Sequence, residues 1–195
     1  VNQHWAAPPY MTYVKSLTEA LNGVQCEVDT GYVRIDHGVD AAVTLIKASQ
    51  DEGGSVWLCG NGGSGTIADH IACDMVKMRG WRAFALTNPA LTTTMANDIE
   101  YGRAFDTQLA VLSRPGDVVI GLSCSGMSQN VINVMGKLHG NPRQGRIILT
   151  GFGANNILRA LMPNVNFYVQ SDKYAEVQIA HLMILHAIVD LAGSP

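Results

Sequence analysis

The chain has 195 residues, 47% of them hydrophobic and 15% charged, with 20 glycines and a net charge of −3. That profile suits one compact domain with a sizeable core and excludes a disordered chain. It carries no basic run or stripe that would serve nucleic acid or an anionic membrane, and no stretch of about 18 uninterrupted apolar residues that would span one.

The opening residues, VNQHWAAPPY, lack the basic region and apolar core of a secretion signal, so they read as a loose or docking tail on a cytoplasmic protein. Met11, Val14, Leu17 and Leu21 recur at helical spacing and predict a helix over 10–25. Val39, Ala42, Val43 and Ile46 do the same for 32–50. With no strand before them, both helices are expected to lie outside the sheet or against a second subunit. From Val56 onward strands and helices alternate. The strands are 56–59, 82–86, 117–122, 146–150 and 165–169; the helices fall near 65–79, 91–97, 101–113, 128–139, 155–162 and 174–192. Such alternation predicts an α/β fold, a doubly wound five-stranded parallel sheet between two helical layers, with ligands gathering at the carboxyl ends of the strands. The chain reads as one domain over 1–195, with 1–53 supplying the leading helices and oligomer contacts and 54–195 the α/β core. Cys26, Cys59, Cys73 and Cys124 form no CxxC pair or zinc-ribbon spacing and read as buried, reduced thiols.

Three stretches carry chemistry. Val56–Arg79 runs from a strand through Gly60-Asn61-Gly62-Gly63-Ser64-Gly65 into a helix, an arrangement that aims backbone N–H groups at an anion. Gly60, Gly62 and Gly65 satisfy the dinucleotide spacing loosely, but the next strand ends Ala85-Leu86-Thr87-Asn88 without the carboxylate that would hold a ribose. No Lys-Ser/Thr follows the glycines, so a P-loop is excluded as well. On the same helix His70 and Asp74 stand four apart and share a face. The second stretch, Leu122–Asn130, sets Ser123, Ser125 and Ser128 between a strand and a helix, where hydroxyls and helix amides make a phosphate cradle needing no Lys or Arg. The third is the final helix, with Gln178, His181 and His186; Gln178 and His186 lie roughly 80° apart around the axis. If that helix returns to the mouth of the sheet, His70, Asp74, Gln178 and His186 form a zinc-compatible shell.

GNGGS at 60–64, MANDIEYGRAFDTQL at 95–109, SCSGMSQN at 123–130 and QIAHLMILH at 178–186 together resemble the sugar isomerase (SIS) domain, and within it the phosphoheptose isomerase family. The resemblance runs over nearly the whole chain, with its motifs in order. It implies a sugar phosphate substrate, with Ser64, Ser123, Ser125 and Ser128 on the phosphate and Asn61, Gly62, Asn97, Asp98 and Gln178 on the sugar. It further implies Asp74 and His186 as the catalytic pair, zinc bound through His70, Asp74, Gln178 and His186, and a homotetramer with sites at subunit contacts. The implied reaction interconverts sedoheptulose 7-phosphate and D-glycero-D-manno-heptose 7-phosphate through an enediol, in nucleotide-heptose biosynthesis.

The chain departs from the family pattern in three places. Asp74 stands where glutamate is usual, Tyr174–Ile179 replaces T-x-R-I-Q-E, and Gly65-Thr66 replaces a small or acidic pair. These departures keep open an isomerase of a different sugar phosphate, or a non-catalytic SIS protein that binds sugar phosphate and acts through protein partners.

Overall fold

Residues 9–29, 31–138 and 144–193 are described by a computed structural model; the first eight residues of the expected tail, and the expected helix end at 139, lie outside them. In chain order the elements begin α1 (Tyr10–Asn22), β1 (Gln25–Val28), β2 (Gly31–Val33), α2 (Ile35–Asp51), β3 (Val56–Gly60) and α3 (Gly63–Arg79). They continue with β4 (Ala83–Ala85), α4 (Pro89–Asp98), a 3₁₀ turn at Tyr101–Arg103, α5 (Ala104–Leu112), β5 (Val118–Ser123) and α6 (Gln129–Lys137). The last are β6 (Gly145–Thr150), α7 (Ile157–Ala160), β7 (Val165–Tyr168) and α8 (Tyr174–Leu191).

Among the described residues the strands form one seven-stranded sheet in the order β2-β1-β7-β6-β5-β3-β4. The five expected strands are its parallel centre. Counted from β3 their order is 2-1-3-4-5, a doubly wound sheet whose direction of winding reverses between β3 and β5. The sequence reading missed β1 and β2, an antiparallel hairpin added to the edge of β7. Residues 25 and 32–33, expected in helices, belong to these strands, so the N-terminal segment shares the sheet instead of lying wholly outside it.

The central strands are buried on both faces, and their side chains alternate between two cores. Val56, Leu58, Val118, Ile120, Ile147 and Leu149 face α2, α3 and α8. Trp57, Cys59, Val119 and Ile148 face α5 and α6. α8 combines a length of 18 residues with a mean hydropathy of 1.2, enough by length and composition to cross a membrane. Its Ile184, Leu185, Ile188 and Val189 are instead buried against the sheet, each burial worth roughly 1.5–3 kcal/mol. α8 is a core helix. Three of the four cysteines are buried as expected, and burial pushes Cys26 and Cys59 up to about 12; Cys73 is exposed, because its side of α3 turns away from the sheet.

Two buried polar groups on α8 tie it to its neighbours. Glu176 accepts hydrogen bonds from Ser16 Oγ on α1 (2.6 Å), Ser171 Oγ and Lys173 Nζ (2.8 Å). Burial alone would raise its pKa, but these bonds win and hold it below the usual carboxylate range. His181 is fully buried, with Nε2 3.2 Å from the Thr150 carbonyl and Nδ1 without a partner among the described residues. A carbonyl only accepts, so the proton sits on Nε2 and the ring is neutral. A second proton on Nδ1 would be buried without an acceptor, and desolvation lowers the pKa from 6.5 to about 4, against the Thr150 bond.

His181 therefore supplies stability that is complete above about pH 6.5 and declines as pH falls toward 4, because the unfolded chain then binds a proton that the folded one refuses. The expected loss is on the order of 3 kcal/mol across that window. Urea midpoints measured from pH 7 to 4 should fall less steeply for His181→Leu than for wild type, and equal slopes would refute the assignment.

Candidate active site

The mouth of the sheet lies where β3 and β5 end side by side, at Gly60 and Ser123. Each strand feeds a helix N-terminus there. After β5 the chain turns through Ser123–Ser128 into α6, and Ser123 Oγ lies 2.9 Å from Ser128 Oγ. The Met127 amide donates to Ser125 Oγ at 3.2 Å. Gly126 holds the turn at φ +64°, where a Cβ would overlap the Asn156 side chain at 2.1 Å. After β3 the turn enters α3 at Gly63, and Ser64 Oγ stands 3.8 Å from Cys124 Sγ. A Cβ on Gly63 would meet the Gln178 amide nitrogen at 2.5 Å, so glycine here lets α8 lay Gln178 over the start of α3.

These groups enclose a cavity of about 150 Å³ lined by Asn61, Ser64, Ser123, Cys124, Ser125, Ser128, Tyr174 and Gln178. No Lys or Arg is among its described lining residues. Hydroxyls and the dipoles of two helix N-termini supply its polarity, the chemistry of a neutral anion cradle. Burial raises the Cys124 thiol, outweighing the hydrogen bonds from Ser64 and Gln178, so a neutral thiol forms part of the wall.

Asn61 and Asn130 lock the two turns together. Asn61 Nδ2 donates to Asn130 Oδ1 at 2.9 Å, Asn130 Nδ2 returns a bond to Asn61 Oδ1 at 2.8 Å, and Tyr101 OH donates to the same Oδ1 at 2.8 Å. Asn130 and Tyr101 went unrecognised in the sequence reading, although both stand inside quoted motifs. Their partner is 69 residues away for Asn130 and 40 for Tyr101, and local spacing carries no signal for such pairings.

A second group of reactive side chains lies further along the same two helices. Asp74 Oδ2 is 3.3 Å from His70 Nε2 and 3.6 Å from His186 Nδ1, and the two histidine Nε2 atoms are 3.3 Å apart. Two imidazoles and a carboxylate within 4.8 Å of one another form a donor set that suits a divalent metal. Asp74 meets the Nδ1 edge of His186 and His70 meets its Nε2, so the three side chains are gathered around one another rather than around a fixed point. Asp74, shorter than the glutamate expected from the resemblance, still reaches both histidines because α3 and α8 pack directly together. The site is open, with His70 half-exposed and His186 partly so.

The expected four-residue shell is thus divided within one chain. His70, Asp74 and His186 converge, whereas Gln178 lies about 12 Å earlier along α8 and lines the serine cavity. Asn97 and Asp98 are exposed at the end of α4, where Asn97 Nδ2 donates to Asp98 Oδ1 at 2.7 Å, and neither lines the serine cavity.

Comparison with known proteins identifies the family and the fold. Residues 14–142 match the SIS domain family. The chain is 35% identical over 157 residues to the phosphoheptose isomerase of Azoarcus sp. (strain BH72), covering 76% of this chain and 79% of that one. It is 32% identical over 163 residues to the enzyme of the same name from Thiobacillus denitrificans, covering 80% and 82%. Among solved structures, the phosphoheptose isomerase of Neisseria gonorrhoeae superposes with a TM-score of 0.80 at 27% identity, covering 94% of this chain and 95% of that one. The Francisella tularensis phosphoheptose isomerase gives 0.77 at 25%, covering 94% and 93%. With two thirds of its length in the SIS match and relatives above 30% identity over most of both chains, this protein belongs to the phosphoheptose isomerase family of SIS-domain proteins.

Proposed function

We propose that this protein is an aldose–ketose isomerase interconverting sedoheptulose 7-phosphate and D-glycero-D-manno-heptose 7-phosphate, in the cytoplasm, as a step toward nucleotide-heptoses. The observation that carries the reading is that α3 and α8, which bear the His–Asp–His group, also bring Ser64, Tyr174 and Gln178 to the neutral anion cradle that the turn after β5 completes. The relatives' shared name, phosphoheptose isomerase, supplies the substrate class.

In this reading Ser64, Ser123, Ser125 and Ser128 hold the phosphate, and binding energy from that remote end positions the carbonyl end. Asn61, Gly62, Asn97, Asp98 and Gln178 contact the sugar. Asp74 removes a proton from C1 of the ketose to give a cis-enediol, and the same proton returns to C2. His186 carries the proton between O1 and O2, so the C1 hydroxyl becomes the aldehyde and the C2 carbonyl becomes the hydroxyl. The donors fit zinc, which when held by His70, Asp74 and His186 polarises the carbonyl as a Lewis acid. A carboxylate held firmly on zinc is a poor base, so with the metal bound one of the two roles of Asp74, ligand or base, must yield.

Assembly into a homotetramer belongs to the same proposal. Ile179 and Met183 are exposed two turns and one turn, respectively, before the open His186, an apolar surface that a second copy would cover at the site. A partner's residues would then complete a group that one chain leaves half-exposed.

Incubation with sedoheptulose 7-phosphate, followed by NMR, should show the aldose forming in a zinc-dependent way. Asp74→Asn and His186→Ala should each lower kcat by about 100-fold or more with phosphate affinity kept, and wild-type rates in either would refute the roles assigned. Binding of the sugar phosphate by wild type without conversion would instead favour a sensor.

The metal assignment makes its own forecast. Purified His70→Ala should lose bound zinc, whereas Gln178→Ala should retain it at wild-type stoichiometry, as read by metal analysis. Zinc loss in Gln178→Ala to the same extent would show that assembly brings Gln178 onto the metal.

A further inference from the structure

A second cavity, of about 260 Å³, opens beside the serine cradle and shares Asn61 with it. Its lining carries the hydroxyls of Thr87, Thr92, Thr93 and Tyr101 and the carboxylate of Asp69 on α3, beside the apolar surfaces of Pro89 and Phe105. Asp69 Oδ1 accepts a hydrogen bond from Thr87 Oγ1, which fixes the carboxylate against the wall. No other hydrogen bond or ion pair of Asp69 is seen among the described residues, so its second oxygen is left as an acceptor. Thr92 Oγ1 is buried and has no partner among the described residues. A buried hydroxyl without a partner is costly unless a ligand or water completes it. Tyr101 reaches from this cavity to Asn61 Oδ1, at the boundary with the cradle.

We propose that this cavity is the subsite for the polyhydroxylated part of the substrate, and that Asp69 is a specificity-determining residue within it. The proposal rests on the reading of the serine cavity as the phosphate site. A polyol is recognised by pairing each hydroxyl as donor and acceptor, and a carboxylate among neutral hydroxyls supplies one strong, directional acceptor. The phosphate held by the serines places the neighbouring carbon chain at Asn61, where the two cavities meet. Asp69 lies one residue from His70 on α3, about 100° around the axis, so it addresses a different side of the helix from the His–Asp–His group. A discriminating contact and the reactive group can therefore act on one substrate without competing for one face. An exposed aspartate serving only to solvate α3 would affect no ligand.

The test is calorimetric titration of wild type, Asp69→Asn, Thr92→Val and Ser128→Ala with two probes, sedoheptulose 7-phosphate and inorganic phosphate. Asp69→Asn should weaken the sugar phosphate by about 10- to 100-fold and Thr92→Val by about 2- to 10-fold. Both should bind inorganic phosphate as wild type does, whereas Ser128→Ala should lose affinity for both probes. Unchanged affinity of Asp69→Asn for the sugar phosphate, or equal losses for both probes, would overturn the proposal. So would a wild type that binds the sugar phosphate no more tightly than inorganic phosphate. Failure of wild type to convert the sugar would sink the isomerase reading separately, since these affinities decide the subsite without turnover.

Discussion

The packing of α3 against α8 sets the position of the His–Asp–His group and of one wall of the serine cavity. Near their N-termini the approach is close enough that Gly63 must lack a side chain, and Gln178 lies over the start of α3. Further along, Ile67, Ile71 and Met75 of α3 and Ile184, Leu185 and Ile188 of α8 share one buried core over the sheet. The same contact brings the Asp74 carboxylate to both His70 and His186. A change of register between the helices would separate all three features at once.

The two ends of this contact are chemically different for physical reasons. At the mouth of the sheet the helix N-termini carry partial positive charge, so hydroxyls suffice to hold an anion and no full cation is needed. Several turns away those dipole ends no longer act, and charge is handled by titratable side chains. Histidine suits that position because its two ring nitrogens can accept a proton at one atom and donate one from the other. His181, on the same helix, shows the opposite outcome. Buried against the Thr150 carbonyl, it is held neutral and serves the core.

Polar groups elsewhere keep this arrangement in place. The reciprocal Asn61–Asn130 amide pair joins the turns after β3 and β5, so the cradle is a single unit built from two loops. Glu176 anchors α1 onto the start of α8 through Ser16, next to Tyr174 and Gln178 in the cavity wall. Asp117 receives the Ser55 amide, the Trp57 indole and the Arg114 amide, which closes the opposite ends of β3 and β5. Such fully satisfied buried carboxylates rigidify the scaffold around the site.

The sequence by itself determined the parallel centre of the sheet, because Val118–Ser123 and its companions are continuous apolar runs separated by helical periods. It also determined the serine turn, the glycine turn and the His70–Asp74 pair, since each is a local pattern of spacing and residue type. β1 and β2 escaped it because strands of four and three residues carry too short a period to outweigh the helices on either side, and the hairpin is held by the pairing of β1 with β7, some 140 residues away. The exposure of Cys73 was likewise decided by which side of α3 met the sheet. Helix rise separates Gln178 from His186 by about 12 Å along α8, and the tertiary structure decided that Gln178 enters the serine cavity over Gly63. The tertiary structure alone brought Asp69, Thr87, Thr92 and Tyr101 to one cavity, because those residues sit on separate elements and only the closing of the chain makes them neighbours.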